Sequence, residues 1–114
     1  MNGPYPLNAQ TIGRVVPGLS VGAYILSKDG KIAHYVGRSD SNLVARLASH
    51  TSDSQNYTQF WYEVTGSAKF AFELECSWWH KYQPDDNQNH PDRPDGSNWQ
   101  CSVCNVFKVE NRWY

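Results

Sequence analysis

The sequence predicts an α/β fold: a small, mainly antiparallel three-stranded sheet flanked by helices. Three observations lead there. At 114 residues the chain has the length of one domain. Three short runs are rich in β-branched and aromatic residues, the first two separated by an Asp-Gly turn. Two longer runs repeat apolar residues every three or four positions.

Taken in order, residues 1–20 hold Pro4, Pro6 and Pro17 and read as an irregular lead-in. Val21 to Ser27 reads as a strand, Lys28 to Lys31 as a turn, and Ile32 to Gly37 as the returning strand. Asn42 to His50 carries Leu43 and Leu47 four apart and reads as a helix capped by Ser39, Asp40 or Ser41. Tyr57 to Val64 is the third strand. Gly66-Ser67 opens a second helix, Ala68 to Tyr82, in which Phe70, Leu74 and Trp78 form the expected buried stripe and Pro84 the stop. Residues 83–100 form a polar loop containing Pro84, Pro91, Pro94 and Gly96. A loop of that length needs a function or a staple. The segment Asn105 to Val109 could close the fold as a short strand. The expected organisation is one domain over 1–114, with a core at about 20–88 and a tail at 89–114.

Composition bounds the function. Aromatic residues make up 14% of the chain, which argues for a packed core and against disorder. The formal net charge is −1, from ten basic and eleven acidic residues. Tight autonomous binding to nucleic acid is disfavoured by that balance, although a local basic cleft is compatible with it. No apolar run approaches the roughly 20 residues of a membrane span. No charged-then-apolar leader is visible, so a cytoplasmic location and no membrane partner are expected.

The chemistry-bearing residues form an ordered series. Gly22-Ala23-Tyr24 is followed after ten residues by Tyr35-Val36-Gly37, which continues into Arg38-Ser39. Arg46 and His50 then lie four apart, on one face of a helix. Glu75 lies on the second helix, twelve residues before Asn87, with Lys81-Tyr82 and Pro84 between them. Glu73 is about 200° around the helix from Glu75, so only one of the two can face the hairpin.

Taken together, these motifs resemble the GIY-YIG nuclease family over roughly Gly22 to Asn87, and the run from Glu75 to Asn87 is similar to that of its excision-repair members. GAY and YVG stand for the namesake tripeptides, differing only at apolar positions. The resemblance implies a GIY-YIG-like fold and metal-dependent hydrolysis of DNA phosphodiester bonds, leaving a 5′-phosphate and a 3′-hydroxyl. It implies a catalytic set of Tyr24, Tyr35, Arg46, His50, Glu75 and Asn87, with Gly37, Arg38 and Ser39 at the substrate. Tyr24 takes the proton of the attacking water with the help of His50, Tyr35 orients water or phosphate, and Asn87 hydrogen-bonds near the metal or phosphate. Elementary chemistry agrees in part. Glu75 is a hard oxygen donor suited to Mg²⁺ or Mn²⁺, and Arg46 can clamp a phosphate. A tyrosine with an ordinary pKa near ~10 needs such neighbours to act as a base. DNA is the expected partner, with a protein partner supplying targeting. The alternative is the same fold kept as a catalytically weak or inert binding module for nucleic acid or protein.

Cys101-x-x-Cys104 has the spacing of a zinc half-site, and three cysteines do not make a disulfide framework. Four of Cys76, His80, His90, Cys101 and Cys104 are expected to hold a structural Zn²⁺. The first choice is Cys76, His80, Cys101 and Cys104, with His90 able to replace Cys76 or His80. A base-deaminase zinc site is excluded, because no His-x-Glu motif is present and Gln100 rather than Pro precedes Cys101.

Overall fold

The computed structural model describes residues 1–52 and 55–107. Its sheet is antiparallel and has four strands rather than three, in the order β1-β4-β2-β3. The central strand is β2 (Val21–Ser27), buried at six of its seven positions. It pairs with β3 (Tyr35–Ser39) on one side and β4 (Gln59–Thr65) on the other. The register sets Tyr24 opposite Gly37 on β3 and opposite Tyr62 on β4.

The lead-in is not irregular. Asn2–Pro6 forms β1 on the outer edge of β4, and Ala9–Val15 forms α1. Prolines argue against an interior strand, but an edge strand tolerates them because its outer N–H groups need no ladder partner. Asn8 caps α1 by accepting from the Thr11 N–H at 2.8 Å, and the helix buries Thr11 and Ile12.

Two expected boundaries move for local reasons. The returning strand begins at Tyr35 rather than Ile32, because the Asp29 carboxylate gathers the N–H groups of Lys31 and Ile32 at 2.8 and 2.9 Å. A side chain that satisfies backbone donors in this way replaces a ladder with a turn. The helix α2 (Leu43–Ser49) is capped by Asn42 rather than by the three residues before it. Ser39 instead accepts from the N–H groups of Asn42 and Ser41, which shapes the turn leading into the cap.

Helix α3 (Ala68–Tyr82) has the expected bounds, with Ser67 as its cap and Gln83 in the left-handed region at its end. Its buried face is different. Phe70 is 59% exposed, and the helix buries Ala71, Phe72, Glu75, Cys76 and Trp78. A four-residue repeat drifts around a 3.6-residue helix, so the Phe70 end of the stripe turns away from the core. In the tail, Asn105 to Phe107 are not in a strand, and the last two residues of that expected strand lie outside the described residues.

The sheet is packed on both faces. Tyr24, Leu26, Phe60 and Tyr62 meet Ile12, Leu43 and Leu47 on the side of α1 and α2. Ala23, Ile25 and Val36 meet Trp78 on the side of α3. A third cluster, Phe72, Cys76 and Cys101 with Trp99 and Phe107, lies where the tail folds onto α3. Among the described residues, no helix is long and apolar enough to cross a membrane.

Candidate functional site

Strand alternation decides what the hairpin offers. Tyr24 and Tyr35 project to the α2 side, and their rings stack with centroids 6.2 Å apart. His50, at the C-terminal cap of α2, packs against both rings. The Tyr24 hydroxyl meets His50 Nε2 at 2.8 Å, and Arg46 Nε donates to the same hydroxyl at 3.4 Å. Three residues of the expected set therefore form one hydrogen-bonded group. Arg46 itself is exposed, and its hydrogen bond to Tyr24 helps keep the guanidinium charged. Burial pushes the Tyr24 phenol well above its ordinary value, with the nearby Tyr35 adding to the shift.

Glu75 comes from the other layer. The residue is 8% exposed, and its carboxylate accepts from Arg38 Nη1 at 2.5 Å, while Arg38 Nε reaches Asp40 at 2.8 Å. Arg38 follows Gly37 on β3 and so points toward α3. Burial disfavours its charge, but Asp40 and Glu75 more than offset that cost. Burial raises the Glu75 carboxyl to about 7, and Arg38 only partly counters the effect.

The two layers meet around the edge strand. A cleft of about 340 Å³ is bordered by Tyr35, Gly37, Arg38, Asp40, Arg46, Glu75 and Asp92. Tyr35 and Arg46 thus face the same hollow as Glu75, although α2 and α3 lie on opposite sides of the sheet. Gly37 makes this possible. A Cβ at that position would fall 2.5 Å from the Tyr24 hydroxyl, so only glycine lets β3 cross over the buried phenol. Gly22 has a similar constraint, since a Cβ there would lie 2.1 Å from the Glu63 carbonyl on β4. The glycines of both tripeptides are thus required by close approach rather than by turn geometry.

Two expected site residues have other partners. Asn87 does not bring its amide to the cleft. Its Oδ1 accepts from Val36 N–H at 3.2 Å and its Nδ2 donates to the Val36 carbonyl at 2.6 Å. Asn87 therefore acts as a short substitute strand on the free edge of β3. Ser39 is buried, with its hydroxyl engaged in the turn into α2. Conversely, Asp40 and Asp92 border the cleft, and neither belongs to the expected site set, Asp40 having been expected only as a helix cap. Asp40 could have been found from its position two residues after Arg38 on the turn into α2. Asp92 is brought there by a loop with no local sequence signal.

A second group lies where the tail folds onto α3. The ligand atoms of His80, His90, Cys101 and Cys104 all lie within 4.8 Å of one another, a set that could hold a metal ion. Of the expected quartets, this group matches the one in which His90 stands in place of Cys76, not the first choice. Cys76 is fully buried beside Phe72 and Cys101, and burial raises its thiol.

No protein-family model and no curated protein matches this sequence. A solved structure does match: the GIY-YIG N-terminal endonuclease domain of UvrC from Thermotoga maritima, bound to its catalytic magnesium ion. The alignment has a TM-score of 0.55 and 23% identity, covering 67% of this chain and 94% of that one. The order of strands and helices is thus shared with that solved domain, and the chain has a GIY-YIG-like fold.

Proposed function

We propose that this chain is a metal-dependent endonuclease that hydrolyses DNA phosphodiester bonds. The observation that carries the reading is one cleft bordered by Tyr35, Arg46 and Glu75, with the Tyr24 phenol packed against Gly37 and hydrogen-bonded to His50. The solved domain of the same fold holds magnesium, which supports the same chemistry here.

Glu75 would hold Mg²⁺ or Mn²⁺. The donor set fits, because Mg²⁺ takes one or two carboxylates and keeps several waters, and the cleft has room for them. Only one carboxylate oxygen is engaged by Arg38. When bound, the ion supplies charge on the phosphate and makes a coordinated water more acidic. The softer imidazole and thiolate donors of the second group suit Zn²⁺ instead.

The chain's own residues do the remaining work. Arg46 borders the cleft, hydrogen-bonded to the Tyr24 hydroxyl, and clamps the phosphate, stabilising the charge that builds on it. Arg38 lies beside Glu75 and can exchange its carboxylate partner for a phosphate oxygen. The Tyr24 phenol is protonated at neutral pH, so it acts by relay. Its oxygen accepts the proton of the attacking water as its own proton passes to His50 Nε2, and no free tyrosinate forms. Tyr35 orients the water or the phosphate. The water oxygen bonds to phosphorus, the bond to the 3′ oxygen breaks, and that oxygen takes up a proton. The products carry a 5′-phosphate and a 3′-hydroxyl.

The net charge of −1 favours a second reading, a binding module with little catalysis, and within the nuclease reading it points to a protein partner that supplies DNA targeting. A plasmid-nicking assay with Mg²⁺ or Mn²⁺ separates the two. The nuclease reading expects nicking by the wild type, nicks that DNA ligase can reseal, and loss of nicking in Glu75→Ala and in Tyr24→Phe. Binding of DNA without nicking under either ion supports the module.

A further inference from the structure

We propose that His80, His90, Cys101 and Cys104 form a closed, structural Zn²⁺ site that fastens the tail to α3, and that Cys76 takes no part in it. This goes beyond the nuclease reading and does not depend on it.

Distances argue first. Zinc with ligands at ~2.3 Å to sulfur and ~2.0 Å to nitrogen in a tetrahedron separates a sulfur from a nitrogen by about 3.5 Å. Cys101 Sγ lies 3.4 Å from His80 Nε2, and Cys104 Sγ lies 3.4 Å from His90 Nε2. All four donor atoms lie within 4.8 Å of one another, close enough to converge on one ion with small side-chain adjustments. Two imidazoles and two thiolates make a complete set with no open position, as structural zinc requires.

The surroundings are those of a prepared site. His90 Nδ1 lies 2.8 Å from the Pro91 carbonyl, which fixes the proton there and leaves the Nε2 lone pair for an ion. The Val103 N–H donates to Cys101 Sγ at 3.4 Å, stabilising a thiolate as the chain turns between the two cysteines. Trp79 and Phe107 pack edge-on against His90, limiting access of water. Cys101 is buried, and Cys104 and both histidines are half-buried.

The tail also needs such a fastening. From Asp85 onward the described chain has no helix or strand. Its apolar anchorage on α3 rests on Trp99 and Phe107, whose rings lie 6.1 and 5.8 Å from that of Phe72, and on buried Cys101. A bond network joining α3 at His80, the loop at His90 and the tail at Cys101 and Cys104 closes both segments at once, and its binding energy becomes folding energy.

The test uses the full chain loaded with Zn²⁺ and then exchanged to Co²⁺, whose visible absorption reports tetrahedral thiolate coordination. The wild type should bind one zinc per chain by elemental analysis and show that absorption. Cys76→Ser and Glu75→Gln should keep it; Cys101→Ser and Cys104→Ser should lose it. Should a cysteine variant fail to fold, alkylation of the wild type decides: Cys104 should be protected by zinc and become reactive after chelation. A wild type that takes up neither ion, alkylation of Cys104 unaffected by zinc, or loss of the spectrum in Cys76→Ser would overturn the proposal.

Discussion

Glu75 is buried in a place where a carboxylate is poorly solvated, and its raised pKa of about 7 has two consequences. The first concerns activity. Below about pH 7 the carboxyl is largely protonated and is a poor metal ligand. At limiting Mg²⁺, cleavage should therefore increase as pH rises through 7, with the rise moving to lower pH when metal is in excess. The second concerns stability. A folded pKa above the unfolded value means that stability is fully present below about pH 4.5 and declines as pH rises toward 7. Without divalent metal, Glu75→Gln should melt roughly 5 °C above the wild type at pH 8, with the difference shrinking toward pH 5. Thermal melts at the two pH values check the sign. Gly37 provides an independent probe. Because an added methyl collides with the Tyr24 hydroxyl, Gly37→Ala should lower cleavage by about 100-fold through misplacement of the phenol. Far-ultraviolet circular dichroism should report an unchanged fold.

At the scale of elements, the sequence was most legible where a pattern is local. The bounds of β2 and α3 could be read directly, since one is a run of β-formers and the other has a serine cap and a glutamine–proline stop. The pairing of Tyr24 with His50 was also expected, as an implication of the family resemblance carried by the two tripeptides and the Arg46–His50 helix. What was not legible depends on distant partners. β1 exists because β4 has a free edge for it, which nothing in Asn2–Pro6 announces. Asn87 binds Val36, 51 positions away, and only the fold brings them together. Its carboxamide makes two hydrogen bonds to the edge of β3, the strand that carries Tyr35, Gly37 and Arg38. Asn87→Ala should destabilise the protein by about 1–3 kcal/mol. Chemical denaturation would measure that loss, and hydrogen exchange at Val36 should increase.

For the whole molecule, the decisive feature is that a three-layer sandwich brings its functional groups around an edge of the sheet rather than onto one face. Tyr35 and Glu75 belong to opposite layers and both border the same hollow, while the Tyr24 phenol lies buried against Gly37, which lines it. The charge balance is also a whole-molecule property. With Arg38 and Arg46 as the cations at the cleft, binding to duplex DNA should be weak and shallow in its salt dependence. A slope of log affinity against log salt near about −2 is expected, given about −0.9 per phosphate neutralised. Fluorescence anisotropy over a salt series measures that slope, and a slope near −8 would indicate a basic surface outside the cleft.

The most direct test of the central claim is the single-turnover rate of supercoiled DNA cleavage as Mg²⁺ is titrated, for the wild type and Glu75→Gln. A wild-type rate that saturates with Mg²⁺, beside a folded Glu75→Gln protein that stays at background throughout, is the predicted result. Saturation of the variant at the wild-type rate would contradict it, because the metal would then be held by something other than the buried carboxylate of α3.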